Sequence, residues 1–432
     1  MKSLFILAIV LLGIVPAGGR AQELTLEACR QQARAHYPLI KRQDLIERTK
    51  EYTINNANKG YLPQLSLSAW AGYQSDVTEI PVELPGVDIR GMRKDQYQAL
   101  LQVDQVVWDG GEIRARKEVT RAASEVDRQK LEVDLYTLNE RVNQLFFGIL
   151  LLEEQWEQNR VIQEELQRSY DQVKAYMNNG IANQADLDAV KVEQLERIQQ
   201  QHTLEATSRA YAEMLRVLIN HPAPLSGKNL KKPDVNTLLY KGETYAAGDV
   251  RRPELHLFAA QSRQLEAQRR QLTAKNLPRL GMFVQGAYGN PGLNMLKNEF
   301  TAYYVAGVRL SWNFGNLYTC KNEFRQLALN RQEVDVQKET FLFNTRLEVT
   351  RNHSEIKKWI ELMKNDDEMI VLRNNIKKSA RAKVANGTLT VTEMLREVTA
   401  EDLARQNKIL HEIQLLSTIY QLKHTTNQYE NN

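Results

Sequence analysis

Cysteine is nearly missing from this chain of 432 residues. Only Cys29 and Cys320 occur, and they lie 291 positions apart (320 − 29). Two cysteines cannot make the disulfide framework of a small secreted scaffold, and they form no Cys-x-x-Cys motif. The fold must therefore be held together by packing rather than by covalent cross-links.

An excess of charge of one sign is also lacking. Lysine and arginine number 57 against 53 acidic residues, and the seven histidines show no metal-ligand spacing. Basic and acidic side chains are interleaved, as in Arg114–Glu118, which is typical of a solvated helix face rather than of a phosphate-binding surface. The zinc-protease, serine-hydrolase and P-loop motifs are absent. The sequence therefore predicts no enzyme, no catalytic residue, no metal, no cofactor and no nucleic acid partner.

Long apolar runs are confined to the N-terminus. A basic residue, the apolar run Leu4–Val15 and a small-residue segment ending at Ala21 predict a signal peptide over residues 1–21. The longest later run, Leu145–Leu152, is too short for a transmembrane helix. We therefore expect any membrane-spanning part to consist of strands in a closed barrel.

Proline and glycine are missing from two long stretches. Between Gly111 and Gly180 the only such residue is Gly148, and none lies between Gly315 and Gly387. Apolar residues in the first stretch are spaced alternately 4 and 3 apart, which is the period of a coiled coil: Leu131, Leu135, Leu138, Val142, Leu145, Ile149, Leu152 and Trp156. Each stretch predicts one helix roughly 100 Å long.

The same landmarks occur twice in the same order. They are Leu62–Leu65 and Leu277–Leu280, Trp108–Gly111 and Trp312–Gly315, and Asn179-Gly180 and Asn386-Gly387. This order predicts an internal duplication. After the signal peptide we expect a first repeat at 22–220, an equatorial linker at 221–248, a second repeat at 249–427 and a tail at 428–432.

Each repeat is predicted to contain a helix, two strands, a long helix and a further helix. In the first repeat a helix from about 26 to 59 precedes strands at about 64–75 and 97–108, and helices at about 112–177 and 183–219 follow. In the second, a helix precedes strands at about 279–289 and 302–312, and helices at about 316–385 and 390–423 follow. A turn-rich loop, Ile80–Gly86, joins the first two strands.

The predicted strands alternate apolar and polar residues with a period of two. They are long enough to cross a bilayer when they are tilted. Aromatic residues near their ends fit a girdle at the membrane interfaces: Trp70, Tyr73, Trp108, Tyr288 and Trp312. The same alternation would also suit a soluble β domain with core aromatics.

The chain resembles the TolC-like outer-membrane efflux family over essentially its whole mature length. The resemblance is carried by Leu24–Ala28 with His36–Pro38, the Leu-Pro-x-Leu entries to the strands, Trp108–Gly111 and the paired Asn-Gly turns. It implies an α+β membrane protein in which three chains form a trimeric α-barrel of long helical hairpins. It also implies a shared 12-stranded transmembrane β-barrel to which each chain gives four strands.

The resemblance further implies a function and partners. The protein would be a passive exit duct of a tripartite efflux or type I secretion system, set among outer-membrane lipids and extending into the periplasm. It would form a homotrimer and dock to a periplasmic adaptor (membrane fusion) protein and an inner-membrane pump. The alternative is a soluble periplasmic coiled-coil scaffold or adaptor protein whose strands form a small β domain.

The same family resemblance points to candidate sites at the hairpin tips. Asp186 follows Gly180 by six residues, as Glu393 follows Gly387, and both are candidates for a periplasmic gate. Arg396 stands where the family often has a further acid, and it can pair with Glu393 three residues before it. Asn179, Gly180, Asn386 and Gly387 would form the tips and dock the adaptor. All three charged residues could equally belong to a solvated helix face.

Overall fold

The computed structural model describes residues 23–77, 93–240, 250–295 and 297–428. The predicted signal peptide, the loop Ile80–Gly86, the later part of the predicted linker and the last four residues lie outside the described residues. The chain is mostly helical with one small sheet, so the predicted α+β fold with long helical hairpins and four strands per chain is confirmed.

The first helical segment is interrupted, and the prediction of one helix from about 26 to 59 was wrong. Helix α1 is Leu26–His36, a 3-10 turn covers Pro38–Lys41, and helix α2 is Arg42–Asn58. Proline disfavours helical backbone in the residue before it. Tyr37 is accordingly extended, with φ −65° and ψ 128°, and α1 ends there.

Two long helices are each joined to a helix of half their length. Helix α3 is Glu112–Asn178, with 67 residues, and is followed by α4, Gln184–Ile219, with 36. Helix α7 is Asn316–Ala385, with 70 residues, and is followed by α8, Val391–Thr426, also with 36. At 1.5 Å per residue, α3 and α7 are each roughly 100 Å long.

The four strands form one antiparallel sheet in the order β1-β2-β3-β4. The strands are β1, Gln64–Tyr73; β2, Asp95–Trp108; β3, Arg279–Asn290; and β4, Thr301–Ser311. Ala69 pairs with Ala99, Ala99 with Tyr288 and Tyr288 with Ala302, which fixes the register across all four strands. Strands β1 and β4 are the two edges.

The chain divides into two compact units. The first comprises residues up to 40, 135–251 and from 345 onward, and the second comprises 41–134 and 252–344. Each unit draws residues from both predicted repeats, and the repeat boundaries themselves stay a prediction. The sheet, α2 and helix α6, Pro253–Lys275, lie in the second unit.

The first unit contains the larger apolar core. Part of the predicted heptad stripe is buried in it, including Val142, Leu145 and Ile149 of α3, with Leu215 of α4 and Leu416 of α8. Residues with a 3.5-residue spacing return to one side of a helix, which is why this stripe faces the core. The remaining polar positions of α3 in this unit are mostly exposed or half-buried.

The first part of the predicted linker contains two short helical elements. These are a 3-10 turn at Gly227–Asn229 and a short helix, α5, Val235–Tyr240. Leu24 forms a parallel bridge with Leu230, because its amide donates to the carbonyl of Asn229 at 2.7 Å and its carbonyl accepts from the amide of Lys231 at 3.0 Å. The segment is thereby joined to the chain before α1.

None of the helices in the described part of the chain is both long enough and apolar enough to cross a membrane.

Candidate functional site

Both hairpin tips are closed by a glycine in the left-handed conformation. Gly180 has φ +73° and Gly387 has φ +68°, and a Cβ added at either would meet nothing within 4 Å. The amides of Gly180 and Ile181 donate to the carbonyls of Met177 and Tyr176. This pair of hydrogen bonds is the Schellman motif, in which only glycine avoids a steric penalty. Gly387 and Thr388 form the same two bonds with Val384 and Lys383.

The tip asparagines complete these turns. The side-chain amide of Asn179 donates to the carbonyl of Ala175, and that of Asn386 donates to the carbonyl of Ala382, both at 3.0 Å. Carbonyls in the last turn of a helix have no partner within the helix, so these bonds stabilise the helix ends. The four predicted tip residues therefore form two equivalent, exposed turns, and their role in docking stays a prediction.

Asp186 lies in the first turn of helix α4 and takes part in capping it. Its carboxylate accepts from the amide of Asn183, and the Asn183 side chain accepts from the amide of Asp186, both at 3.0 Å. This reciprocal arrangement is a capping box, which satisfies amides that the first helical turn leaves unpaired. Asp186 is half-buried at the tip.

Glu393 has the same role at the start of α8. Its carboxylate accepts from the amide and the hydroxyl of Thr390, at 3.0 and 2.8 Å. These hydrogen bonds, with a smaller contribution from the charge of Arg396, lower the pKa of Glu393. The hydrogen bonds of Glu393 are thus those of the capping box, and Arg396 acts on it only through its charge and is exposed. The Glu393 carboxylate is ionised at neutral pH and exposed at the tip.

The two faces of the sheet differ in chemistry. One face consists almost wholly of apolar side chains, and most of the large ones are exposed: Leu65, Leu67, Tyr73, Leu101, Met282, Val284, Tyr288, Tyr304, Val308 and Leu310. Exposed apolar surfaces of this extent mark sites of contact with lipid or with another protein.

Polar side chains of the other face bond to one another. Gln98 accepts from the Trp70 indole at 2.8 Å and donates to the Tyr303 hydroxyl at 2.5 Å. Gln285 donates to Gln102 at 2.7 Å, and Gln102 donates to Asp104 at 2.6 Å. Sequence reasoning missed these residues, although they occupy alternate positions of each strand and the period of two was already visible.

The predicted interfacial aromatics do not all lie on one face. Tyr73 and Tyr288 lie on the apolar face, and Trp108 pairs with Leu280, which also belongs to it. Trp312 follows β4 and donates its indole N–H to the carbonyl of Asn276 at 3.1 Å. Trp70 lies on the polar face, because its position in β1 is even-numbered whereas the apolar positions are odd-numbered. Trp70 therefore lies on the face opposite Tyr73, Trp108 and Tyr288.

The repeated Trp-x-x-Gly segments connect strands to long helices by similar means. Asp109 accepts from the amides of Gly111 and Ile113, at 2.9 and 2.7 Å, and so caps α3. Asn313 accepts from the amide of Gly315 at 3.0 Å at the equivalent position before α7. Both segments are thus strand-to-helix turns.

The two cysteines are both free thiols. Burial raises the pKa of Cys29 to about 12, so this thiol is not reactive at neutral pH. Among the residues that the structure describes, no three His, Cys, Asp or Glu side chains gather closely enough to hold a metal ion.

Several solved structures that resemble this chain are described as outer-membrane proteins or channels. The chain matches VceC, an outer membrane protein of Vibrio cholerae, with a TM-score of 0.66 and 10% identity over 93% of this chain and 95% of that one. It matches the outer-membrane channel OprN with a TM-score of 0.68 and 14% identity, over 94% and 90%. It matches the open state of the MtrE channel of Neisseria gonorrhoeae with a TM-score of 0.63 and 12% identity, over 95% and 92%.

A family model also matches part of the chain. Residues 29–221 match the family model described as outer membrane efflux protein. Among curated proteins, no sequence matches the chain. The predicted resemblance to the TolC-like outer-membrane efflux family is confirmed, and the location of that family is the outer membrane.

Proposed function

We propose that the protein is the outer-membrane exit duct of a tripartite efflux or type I secretion system. Three chains would form a passive channel across the outer membrane and the periplasm, docked to a periplasmic adaptor protein and an inner-membrane pump. The observation that carries this proposal is the sheet, which exposes one apolar face and pairs its polar side chains on the other.

A four-stranded sheet with two free edges needs further strands before it can lie in a membrane. If β4 of one chain pairs with β1 of the next, three chains close a barrel of 12 strands and leave no edge. The apolar face would then contact lipid and the polar face would line a water-filled lumen.

The aromatic residues of the apolar face support this orientation. Tyr288 and Leu280, the partner of Trp108, are eight residues apart on β3, or about 26 Å along the strand. That separation is close to the apolar height of an outer-membrane barrel, about 25 Å. Tyr73 and Tyr288 would mark one membrane interface, and Trp108 and Trp312 the other.

The helices of the first unit also expose apolar residues. Leu362, Met369, Leu372 and Ile376 of α7 are exposed and follow a heptad spacing. Val192, Leu195 and Ile198 form a second exposed apolar row on α4, at a spacing of three residues. Exposed apolar rows on helices associate with other helices, so we expect both rows to be covered by neighbouring chains in the homotrimer.

At the tips, three copies of each charged residue would surround the periplasmic entrance. A ring of Glu393 carboxylates would favour cations, and the exposed Arg396 would oppose that preference. Asn179, Gly180, Asn386 and Gly387 would meet the adaptor. In planar bilayers we expect Glu393→Gln to lower cation selectivity and Arg396→Gln to raise it.

Glutamine is the informative substitution at position 393 because it can keep the capping box while removing the charge. Asp186→Asn is the matched variant at the other tip. An unchanged reversal potential and conductance in both Glu393→Gln and Arg396→Gln would contradict the gate assignment.

The second candidate is a soluble periplasmic scaffold or adaptor, because the long helical hairpins alone would suit either role. Fractionation separates the two functions. The duct should sediment with outer membranes and require detergent for extraction, and cross-linking should recover an adaptor and a pump with it. Release of a monomer by osmotic shock would favour the scaffold.

A further inference from the structure

A layer of buried charges joins α3 to α7 and α8 in the first unit. The Lys377 ammonium of α7 lies 2.8 Å from the Glu165 carboxylate of α3 and 3.3 Å from the Glu401 carboxylate of α8. These three residues are 7%, 8% and 2% exposed, respectively. Arg381 contacts Glu165 at 2.8 Å, and Arg405 pairs with Glu401. We call these five residues the ionic layer.

The ionic layer borders a separate apolar cluster near the hairpin tips. This tip cluster includes Leu166 and Val173 of α3, Val190 of α4, Val384 of α7 and Val398 of α8. It is distinct from the larger core around Val142 to Ile149, and its members are mainly small or β-branched residues. Apolar contacts of this kind are not directional, so they discriminate weakly between neighbouring registers.

The ionic layer discriminates strongly between registers. If α7 moved by one heptad along α3 and α8, Ile370 or Val384 would take the place of Lys377. Glu165 would then be buried without Lys377 or Arg381, whereas Glu401 would keep Arg405 of its own helix. An unpaired buried charge is strongly unfavourable. The native register is therefore the one in which the apolar residues are buried and the buried charges are paired at the same time.

We propose that the ionic layer sets the register of the two hairpins, with Lys377 as the positioning residue, and contributes little to net stability. The free-energy cost of removing the charges from water offsets most of the stabilisation from their mutual attraction. A register that leaves one of them buried without its partner incurs that cost with no compensating attraction. This role of the layer is independent of what the protein exports. It determines where the tip residues around Gly180 and Gly387 lie relative to each other within one chain.

The test compares a variant in which apolar residues replace the buried charges with a variant that keeps the charge of Lys377. The triple variant Glu165→Leu, Lys377→Met, Glu401→Leu removes the bridge but fills its volume, and Lys377→Arg keeps the charge. Spin labels on Lys174→Cys and Lys383→Cys, both exposed near the tips, report the distance between the hairpins after both native cysteines are replaced by alanine. Labelled chains are diluted with unlabelled ones so that only pairs within one chain are measured.

The matched control places the same substitutions on an exposed triad of α3. Arg160 pairs there with Glu157 and Glu164, at 2.6 Å in the case of Glu164. We expect Glu157→Leu, Arg160→Met, Glu164→Leu to leave the distance distribution unchanged, as should Lys377→Arg.

For the layer variant we expect a melting temperature no lower than that of the parent, together with at least a doubling of the width of the distance distribution. A second population displaced by about one heptad, roughly 10 Å along the axis, is the expected form of the change. A distribution as narrow as the parent's would overturn the proposal. So would a lower melting temperature or failure to fold, because the layer would then serve stability rather than register.

Discussion

At the two hairpin tips, a single residue decides how the chain turns. Gly180 is left-handed with open space around the position of a Cβ. A substitution there meets no clash, so its whole cost is conformational. We expect Gly180→Ala to lower the free energy of unfolding by about 1 kcal/mol, measured by urea titration of the detergent-solubilised protein.

Asparagine provides the control at this position because it tolerates the left-handed region better than other non-glycine residues. Gly180→Asn should therefore lose less stability than Gly180→Ala, and Gly387→Ala should match Gly180→Ala. Equal losses for alanine and asparagine would show that something other than backbone conformation determines the effect.

Asp402 of α8 is a buried acid whose ionisation opposes folding. It accepts from Gln158 at 2.9 Å and from Gln406 at 2.7 Å, and Arg197 lies 3.3 Å away. Burial is the largest influence and raises the pKa of Asp402 despite these partners and Arg197. The folded state thus holds the proton more tightly than the unfolded chain. Stability from this group is present in acid and is lost as the pH rises through the raised pKa.

We expect Asp402→Asn to be at least as stable as the parent at pH 7, because asparagine cannot ionise. Arg197 keeps a carboxylate partner in Glu193, at 2.9 Å. The difference between variant and parent should shrink as the pH falls, which denaturant titrations from pH 7 to pH 4 can measure. A variant that is less stable at pH 7 would mean that the Arg197 contact outweighs the burial of the charge. The exposed Glu157→Gln is the control, and its pH trend should have the opposite sign, because hydrogen bonding to Arg160 lowers the pKa of Glu157.

At the scale of an element, neighbouring residues of β1 lie on opposite faces of the sheet. Leu67 is an exposed residue of the apolar face, and Ser68 belongs to the polar face. If the apolar face contacts lipid, Leu67→Lys should destabilise the inserted protein by about 2–4 kcal/mol, whereas Ser68→Lys should have little effect. The measurement is the fraction of protein that is folded in lipid vesicles as the urea concentration of the buffer is raised. Equal losses for both lysine variants would contradict the assignment of the two faces.

The strands and long helices could be predicted because their signals are local. The period of two in β1 and the absence of proline from α3 both appear in short windows of sequence. The break at Pro38 carried a local signal too, but a helical pattern on either side obscured it. The position of Trp70 was also predictable. It lies an odd number of residues from Leu65 and Leu67, so the alternation of the strand places it on the opposite, polar face.

The ionic layer could not be predicted from the sequence. Lys377 stands among Arg373, Lys378 and Arg381 in a helix rich in charge, and nothing local distinguishes it from a solvated residue. Its burial depends on Glu165, 212 residues earlier, and on the packing of three helices. The capping role of Glu393, by contrast, had a local signal. The Thr-x-x-Glu pattern that begins at Thr390 is the sequence signature of a capping box.

At the scale of the whole molecule, the proposed duct requires three identical chains to associate. Leu372 belongs to the exposed heptad stripe of α7, whereas Asn375 is exposed beside it. We expect Leu372→Glu to reduce the proportion of trimer at least several-fold, since it would bury a charge between helices. Asn375→Glu should leave the proportion unchanged. Gel filtration with light scattering measures both, and equal behaviour of the two variants would exclude the stripe from the interface.

The most direct test of the central claim is the native mass of the protein extracted from outer membranes. If each chain supplies four of twelve strands, detergent extraction should release only complexes of three chains, and native mass spectrometry should show no stable monomer. The same preparation should conduct ions across a planar bilayer. A monomer in the soluble periplasmic fraction, or a trimer that forms no pore, would contradict the account.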